Sequence, residues 1–466
     1  MDTVASGGQL VVALIIGLLF LIFLILKTKV HAFLALIIGA VTIGLIAGLD
    51  TTKIADAISA GFGGTLGSIG IIIGFGVMMG EIFQMSGAAK RMAHTFLKLF
   101  GKGREEVALG ITGFLVSIPI FCDSGFVILS PIMKALSRQT RKSVVSLGVA
   151  LAGGLVITHS LVPPTPGPLG VAGTFGVDIG HFILLGVCIS IPMAIACILY
   201  AKWVGKKIYQ IPSEDGESWE RPGITGGGGG GRETLNSSLL DTKDLETTPC
   251  AFISFLPLIA PIVLILANTI SKAAGKTEGL LFQTLIFLGT PIIAVGIGLL
   301  IAIYTLARKA SRKETLDKME TGIRSAGIII LVTGGGGALG RVLQTSGIGN
   351  FIADQISLLP IPVIVLPFLI ATLLRFAQGS GTVAMLTSAG ITAPIVAAAG
   401  GNMILGAFAA CIGSLFFSYF NDSFFWVTNR LMGISDTKEQ IRCWSLTTTI
   451  AWATGFIVLL ILDIFM

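Results

Sequence analysis

Four interruptions break the apolar runs of this chain, and each gathers residues able to bind an anion or carry a proton. The first reads Pro119-Ile120-Phe121-Cys122-Asp123-Ser124-Gly125 and the third Arg375-Phe376-Ala377-Gln378-Gly379-Ser380-Gly381-Thr382. At an offset of 256, Ser124-Gly125 falls on Ser380-Gly381. A chain that doubles back at such a tip exposes the free N–H groups of its returning helix, whose dipole favours an anion. Two facing tips could hold a carboxylate with backbone amides, with the hydroxyls of Ser124, Ser380 and Thr382, and with the Gln378 amide. The competing reading is a pair of small-residue bends made for tight helix packing. Hydroxyl and amide groups in both copies favour binding.

The second interruption is Thr158-His159-Ser160-Leu161-Val162-Pro163-Pro164-Thr165-Pro166-Gly167-Pro168. Each of its prolines lacks an N–H and clashes with the preceding turn, so no helix runs through it. The freed carbonyls and the side chains of Thr158, His159 and Thr165 then need partners, which substrate or water can supply. Its counterpart sets polar Asn421-Asp422-Ser423 inside an aromatic run from Phe416 to Trp426. Intramembrane charge is costly and marks function. Asp123, Asp422 and Glu81 are therefore candidate proton carriers, with His159 a further titratable group. Arg375 either counters a buried acid or meets an anionic substrate. Serine, threonine and asparagine oxygens at chain breaks could instead ligate Na⁺, so sodium coupling stands as the alternative.

These breaks sit in a chain that composition places in a membrane. Apolar residues make up 53% of 466 and charged residues 12%, with a mean hydropathy of +0.91, whereas a soluble chain is about one quarter charged. Ten runs are long enough to cross, near 9–26, 30–48, 66–88, 143–178, 181–203, 251–270, 282–305, 325–345, 403–433 and 446–465. Two more, 105–137 and 360–398, are too long for one helix and read as re-entrant hairpins. With both termini outside, every lysine and arginine cluster falls on the cytoplasmic side, as the positive-inside rule asks. The outer loops then carry only Lys53, Lys272 and Lys276.

That count puts five crossings in each half, an odd number, so the halves are inverted in the bilayer. A weak repeat agrees: residues 67–87 match a stretch 260 residues later at Gly67, Gly74, Gly76, Gly80, Gln84, Ser86 and Gly87, and Glu81 falls on Arg341. The organisation expected is a first repeat at 1–207 (hairpin 105–137, broken helix 143–178), a flexible cytoplasmic linker at 208–249 and a second repeat at 250–466 (hairpin 360–398, broken helix 403–433). The fold class is an all-α polytopic membrane protein. The net charge of +6 reflects orientation-setting loops, not nucleic-acid binding. Six cysteines without CxxC spacing suggest neither disulfides nor a metal site. No HExxH, GxSxG or phosphate-loop motif points to an enzyme, and no cofactor is expected.

The stretches VPPTPGP (Val162 to Pro168) and RFAQGSGT (Arg375 to Thr382), with Asp123 and Asn421-Asp422, resemble the gluconate permease (GntP) family of proton symporters, part of a larger group of elevator carriers. The likeness covers nearly the whole chain. It implies a bacterial cytoplasmic-membrane symporter taking up small hydroxylated monocarboxylates such as gluconate, other aldonates, glycerate or D-serine. It also implies a homodimeric scaffold and a moving domain that carries the hairpins and broken helices. Two departures bear on substrate: the family's gluconate carriers have histidine where Thr165 stands and glutamate where Asp123 stands. Thr165 resembles the D-serine branch.

Overall fold

The computed structural model describes all residues except 1–6, 101–102, 214–218, 222–247, 275–277, 352–361 and 420. Most of the linker expected at 208–249, including its glycine run, lies outside the described residues. The described chain is almost entirely helical. The first half contains α1 (Gly7–Lys27), α2 (Ala32–Ile46), α3 (Thr51–Ser86), α4 (Ala88–Phe100), α5 (Glu105–Val116), α6 (Cys122–Thr140), α7 (Val144–Leu161), α8 (Pro166–Phe175) and α9 (Ile179–Lys207). The second contains α10 (Ala251–Ala273), α11 (Leu280–Leu288), α12 (Pro291–Thr305), α13 (Arg312–Thr345), α14 (Val365–Gln378), α15 (Gly381–Ala398), α16 (Met403–Gly413), α17 (Ser423–Leu431) and α18 (Leu446–Phe465). A two-residue antiparallel pairing of Ile211–Pro212 with Trp219–Glu220 is the strand structure among the described residues.

Among the described residues, seven helices are long and apolar enough to cross a bilayer, or nine if two sharply bent pairs each count as one span. Ten runs were expected, and the difference has local causes. The expected crossing at 66–88 is the second part of α3, bent by 45° between residues 67 and 70. The helix begins at Thr51 because Asp50 caps it, accepting from Thr52 N at 2.8 Å. Polar 49–56, expected as an outer loop, is therefore mostly helix. Ser311 starts α13 early in the same way, accepting from Glu314 N at 3.1 Å. The run 403–433 splits into α16 and α17, whose 11 and 9 residues are each too short to cross alone. Large apolar side chains such as Ile15, Leu19 and Phe23 on α1 and Ile457 and Ile461 on α18 stay about half exposed or more. A water-facing surface rarely tolerates such a band, and a lipid-facing one requires it.

The halves pack by exchange. The long helices α3 and α13 lie against each other, α2 packs on α13, and α12 packs on α3. In each half the first hairpin arm lies along the first part of the following broken helix, α5 on α7 and α14 on α16. The second arms cross over: α6 packs on α17, and α15 packs on α8. Glycines make these approaches close enough. A Cβ on Gly80 of α3 would overlap the Pro119 carbonyl at the first hairpin's turn, and one on Gly340 of α13 would sit 2.6 Å from the Gly390 carbonyl of α15. Gly80 and Gly340 are partners in the sequence repeat, so the repeated glycines are where long helices receive hairpins.

Gly80→Ala should cost about 1–3 kcal/mol by overpacking this seat. Gly74→Ala on the same helix, where a Cβ would meet nothing within 4 Å, should be neutral or gain up to about 1 kcal/mol of helix propensity. Thermal unfolding of the detergent-solubilised pair reads the difference; equal melting temperatures would contradict the seat.

Candidate functional site

Three of the four interruptions, and the last turn of α7 just before the proline-rich one, meet around one cavity of about 580 Å³, inside the range of small-molecule sites. The first hairpin turns at 117–121 and restarts as α6 at Cys122, with no side chain capping its N-terminus. The second turns at Gly379 and Ser380, and Ser380 caps α15 by accepting from Val383 N at 3.3 Å. Gly379 has φ +82°, and a Cβ there would overlap the Asn421 carbonyl. Only glycine seats this tip against the second broken helix. That helix stops at Gly413 and resumes at Ser423, capped by Asp422, whose Oδ1 accepts from Phe424 N at 3.1 Å. Three helix N-termini, those of α6, α15 and α17, thus open onto one cavity and favour negative charge there.

Charge in the cavity is organised around one buried pair. Arg375 and Asp422 have side chains only 6% and 12% exposed, with Nη2 and Oδ2 2.5 Å apart. Arg375 Nη1 also donates to the Gly379 carbonyl, closing the tip on itself. Asp422 Oδ2 accepts a second bond from the Ser418 hydroxyl, which in turn accepts from Trp444 Nε1 at 2.8 Å. Asn421 Nδ2 donates to the Phe376 carbonyl at 3.2 Å, and Tyr419 O–H donates to the same carbonyl at 2.8 Å. Asp123, from the other tip, accepts from the Ser423 hydroxyl at 3.0 Å. Its Oδ1 faces the Cys122 thiol at 3.7 Å. The lining therefore holds two carboxylates and one guanidinium, and the guanidinium is already committed to Asp422.

Of the residues singled out from sequence, Asp123, Ser124, His159, Arg375, Ser380, Gly381, Thr382, Asn421 and Asp422 line this cavity. His159 Nδ1 and Arg375 Nε are buried with no partner among the described residues, as at a site that a polar ligand completes. The side chain of Gln378 lies outside the described residues. Four others are placed elsewhere. Gly125 is already one turn into α6: its N–H bonds Phe121 O at 2.9 Å, and a Cβ would press on Leu155. Thr158 is fully buried in α7 and outside the lining. Thr165 turns its hydroxyl onto the Val162 carbonyl at 2.7 Å. It joins Glu81 and Gln84 around a separate pocket of about 20 Å³ between α3, the first tip and the proline-rich break. Glu81 is thus apart from the main cavity. Its repeat partner Arg341 is exposed and bonds Gln344 Oε1 at 2.7 Å.

Sequence reasoning named Ser160 and Ser423 only as members of their stretches, with no role, and left out Ser414 and Thr448; all four line the cavity. The offset of 256 that aligns the hairpin tips also carries Thr158 onto Ser414, a signal that was present. Thr448 carries none: it comes from α18, and its hydroxyl accepts from Ser418 N at 3.0 Å. No cluster of three or more metal-ligating side chains occurs among the described residues.

A model of the GntP family of permeases matches residues 9–465. The chain is 48% identical over 451 residues to an uncharacterised permease of Haemophilus influenzae, covering 96% of this chain and 90% of that one. It is 33% identical to a gluconate permease of Bacillus subtilis, covering 96% and 98% of the two chains. Among solved structures, MtrF of Neisseria gonorrhoeae, an antimetabolite efflux pump, matches with a TM-score of 0.63 over 95% of this chain and 97% of that one, at 13% identity. That likeness is one of fold alone. A family match from end to end, a helical body with a polar cavity at its chain breaks, and relatives that are permeases together identify the class: this multi-pass chain is a transporter, not an enzyme, and belongs to the GntP permease family.

Proposed function

We propose that the protein is a proton-coupled symporter of the bacterial inner membrane that takes up a small hydroxylated monocarboxylate: gluconate, another aldonate, glycerate or D-serine. The observation that carries this reading is the charge balance of the cavity. Arg375 neutralises Asp422 at 2.5 Å, while Asp123 has only a hydroxyl and a thiol beside it among the described residues. A substrate carboxylate entering the cavity adds a second unmatched negative charge. Two such charges about 5 Å apart repel by roughly 3 kcal/mol at an effective dielectric of about 20. One proton on Asp123 removes that repulsion, so anion and proton load together. The three helix N-termini then face the substrate carboxylate, and Ser160, Ser414, Thr448 and Thr382 offer hydroxyls to its polar body. The names of relatives fit this substrate class, gluconate in Bacillus subtilis and L-idonate in Escherichia coli.

The crossed packing of hairpin arms and broken helices supports two repeats of inverted topology, with re-entrant hairpins meeting near mid-membrane. Alternating access then comes from sliding of the body that carries hairpins and broken helices against a scaffold, in a homodimer. Both termini face outside.

In proteoliposomes, an inward proton gradient should drive uptake of labelled gluconate, glycerate or D-serine. Absence of uptake for the whole substrate class would overturn the reading, and dependence on Na⁺, tested by choline replacement, would replace its coupling ion. Asp123→Asn should abolish accumulation above equilibrium while substrate exchange continues; equal loss of both modes would remove Asp123 from coupling. Arg375→Ala strands a buried carboxylate and should cost about 3–5 kcal/mol of stability. The double variant Arg375→Ala/Asp422→Asn should recover most of that loss on thermal unfolding yet still fail to transport. A single variant as stable as the parent would contradict the pairing.

A further inference from the structure

Asp422 and Ser423 are consecutive residues, yet they bond to opposite hairpins. Asp422 is held on every side. Its Oδ2 takes Arg375 and Ser418, and its Oδ1 caps Phe424 N at 3.1 Å. Ser418 is 1% exposed and fixed by Trp444, which is fully buried. The first turn of α17 is therefore a rigid mount anchored to the tip of the second hairpin. Ser423, the next residue, donates to Asp123 Oδ2 at the tip of the first hairpin at 3.0 Å and lines the cavity. Among the described residues, the other side-chain partner of Asp123 is the Cys122 thiol at 3.7 Å, a weak donor.

We propose that Ser423 is a positioning residue that converts proton loading of Asp123 into a hydrogen-bond donor for the substrate anion, an inference that rests on the reading of Asp123 as the proton site. A serine hydroxyl has one proton and two acceptor positions. While Asp123 is ionised, that proton is committed to its Oδ2. Once Asp123 takes up a proton, the carboxylic acid donates to Ser423 Oγ, and the Ser423 proton is released to turn into the cavity. The anion gains a donor only after the proton has arrived. Proton and anion are then coupled through a single rotation of one hydroxyl, without movement of either tip.

The charged groups acting on Asp123 are Asp422 of the same mount and Arg375 of α14, with Cys122 beside it on α6. His159 faces the cavity from α7. Glu105 and Glu106, on the neighbouring α5, are engaged with Lys142 at 2.7 and 2.6 Å at the far end of that arm. None of these replaces the hydroxyl. Ser423→Ala removes a hydrogen bond to the ionised form, so Asp123 holds its proton to higher pH, and it also deletes the released donor.

The test is the pH profile of uptake and the KM for gluconate, glycerate or D-serine, whichever is transported, in proteoliposomes of the full chain carrying Ser423→Ala, Ser423→Thr or Asp123→Asn. In Ser423→Ala the half-maximal pH should move alkaline by about one unit and KM at acidic pH should rise about tenfold, the worth of one hydrogen bond to a charged group. Ser423→Thr, which keeps a hydroxyl, should restore both. Ser423→Ala and Ser423→Thr impaired alike would mean a packing role and overturn the inference. An unmoved pH midpoint in Ser423→Ala, with pH dependence lost in Asp123→Asn, would overturn it alone. pH dependence that survives intact in Asp123→Asn would overturn it together with the reading beneath it.

Discussion

Arg375 and Asp422 are nearly buried, 47 residues apart in sequence and in contact in space. A charge held away from water needs an opposite charge and further hydrogen bonds to remain ionised, and both members have them. Arg375 also binds the carbonyl of Gly379, and Asp422 also caps α17 and accepts from Ser418. The pair therefore fixes three things at once: the turn of the second hairpin, the start of the last broken helix, and the sign of the remaining cavity charge. Ser423 and Asp123 inherit their geometry from it. Replacing the pair with apolar groups would leave a packed protein without the polar frame that defines the cavity.

Backbone satisfaction is the second constraint. A helix that stops inside an apolar medium leaves N–H and C=O groups that must find partners within the protein. Here the stops are brought together, so N-termini share one polar cavity instead of each needing its own. The glycines of α3 and α13 make this feasible, because the Pro119 carbonyl of the first turn packs directly on the helix backbone at Gly80, and the Gly390 carbonyl of α15 does so at Gly340. The crossed arrangement, α6 on α17 and α15 on α8, means that neither half owns a complete cavity. Both tips meet the same break in the second half, Asp123 of the first half through Ser423 and Gly379 through Asn421.

Much of the site was legible because the features marking it are local. Prolines at 163, 164, 166 and 168 stop a helix from running through the stretch and allow one only to begin there, as α8 does at Pro166, and a charge inside an apolar run stands out by its cost. Nine of the residues proposed from sequence line the cavity for that reason. The misses are equally physical. Thr165 and Thr158 have the right chemistry at the right break, but a hydroxyl's direction depends on one torsion angle and on what lies nearby. Thr165 found the carbonyl three residues back. Glu81 was an intramembrane acid with no local sign of which pocket it would face. Polar 49–56 read as a loop because its threonines and acids suit caps as well as turns, and Asp50 uses that ability to begin α3.

Composition, periodicity and helix-breaking residues determined the membrane class, the helical architecture and the four interruptions, since each follows from what a stretch of chain can do on its own in lipid; the family resemblance rested instead on the motifs Val162 to Pro168 and Arg375 to Thr382. Tertiary structure decided the pairings. Ser423 meets Asp123 across 300 residues and Arg375 meets Asp422 across 47, and Thr448 from the last helix closes the cavity wall. Which acid is paired with arginine and which has only a hydroxyl and a thiol beside it depends on distances of a few ångströms between segments far apart in the chain, and those distances exist only in the packed structure.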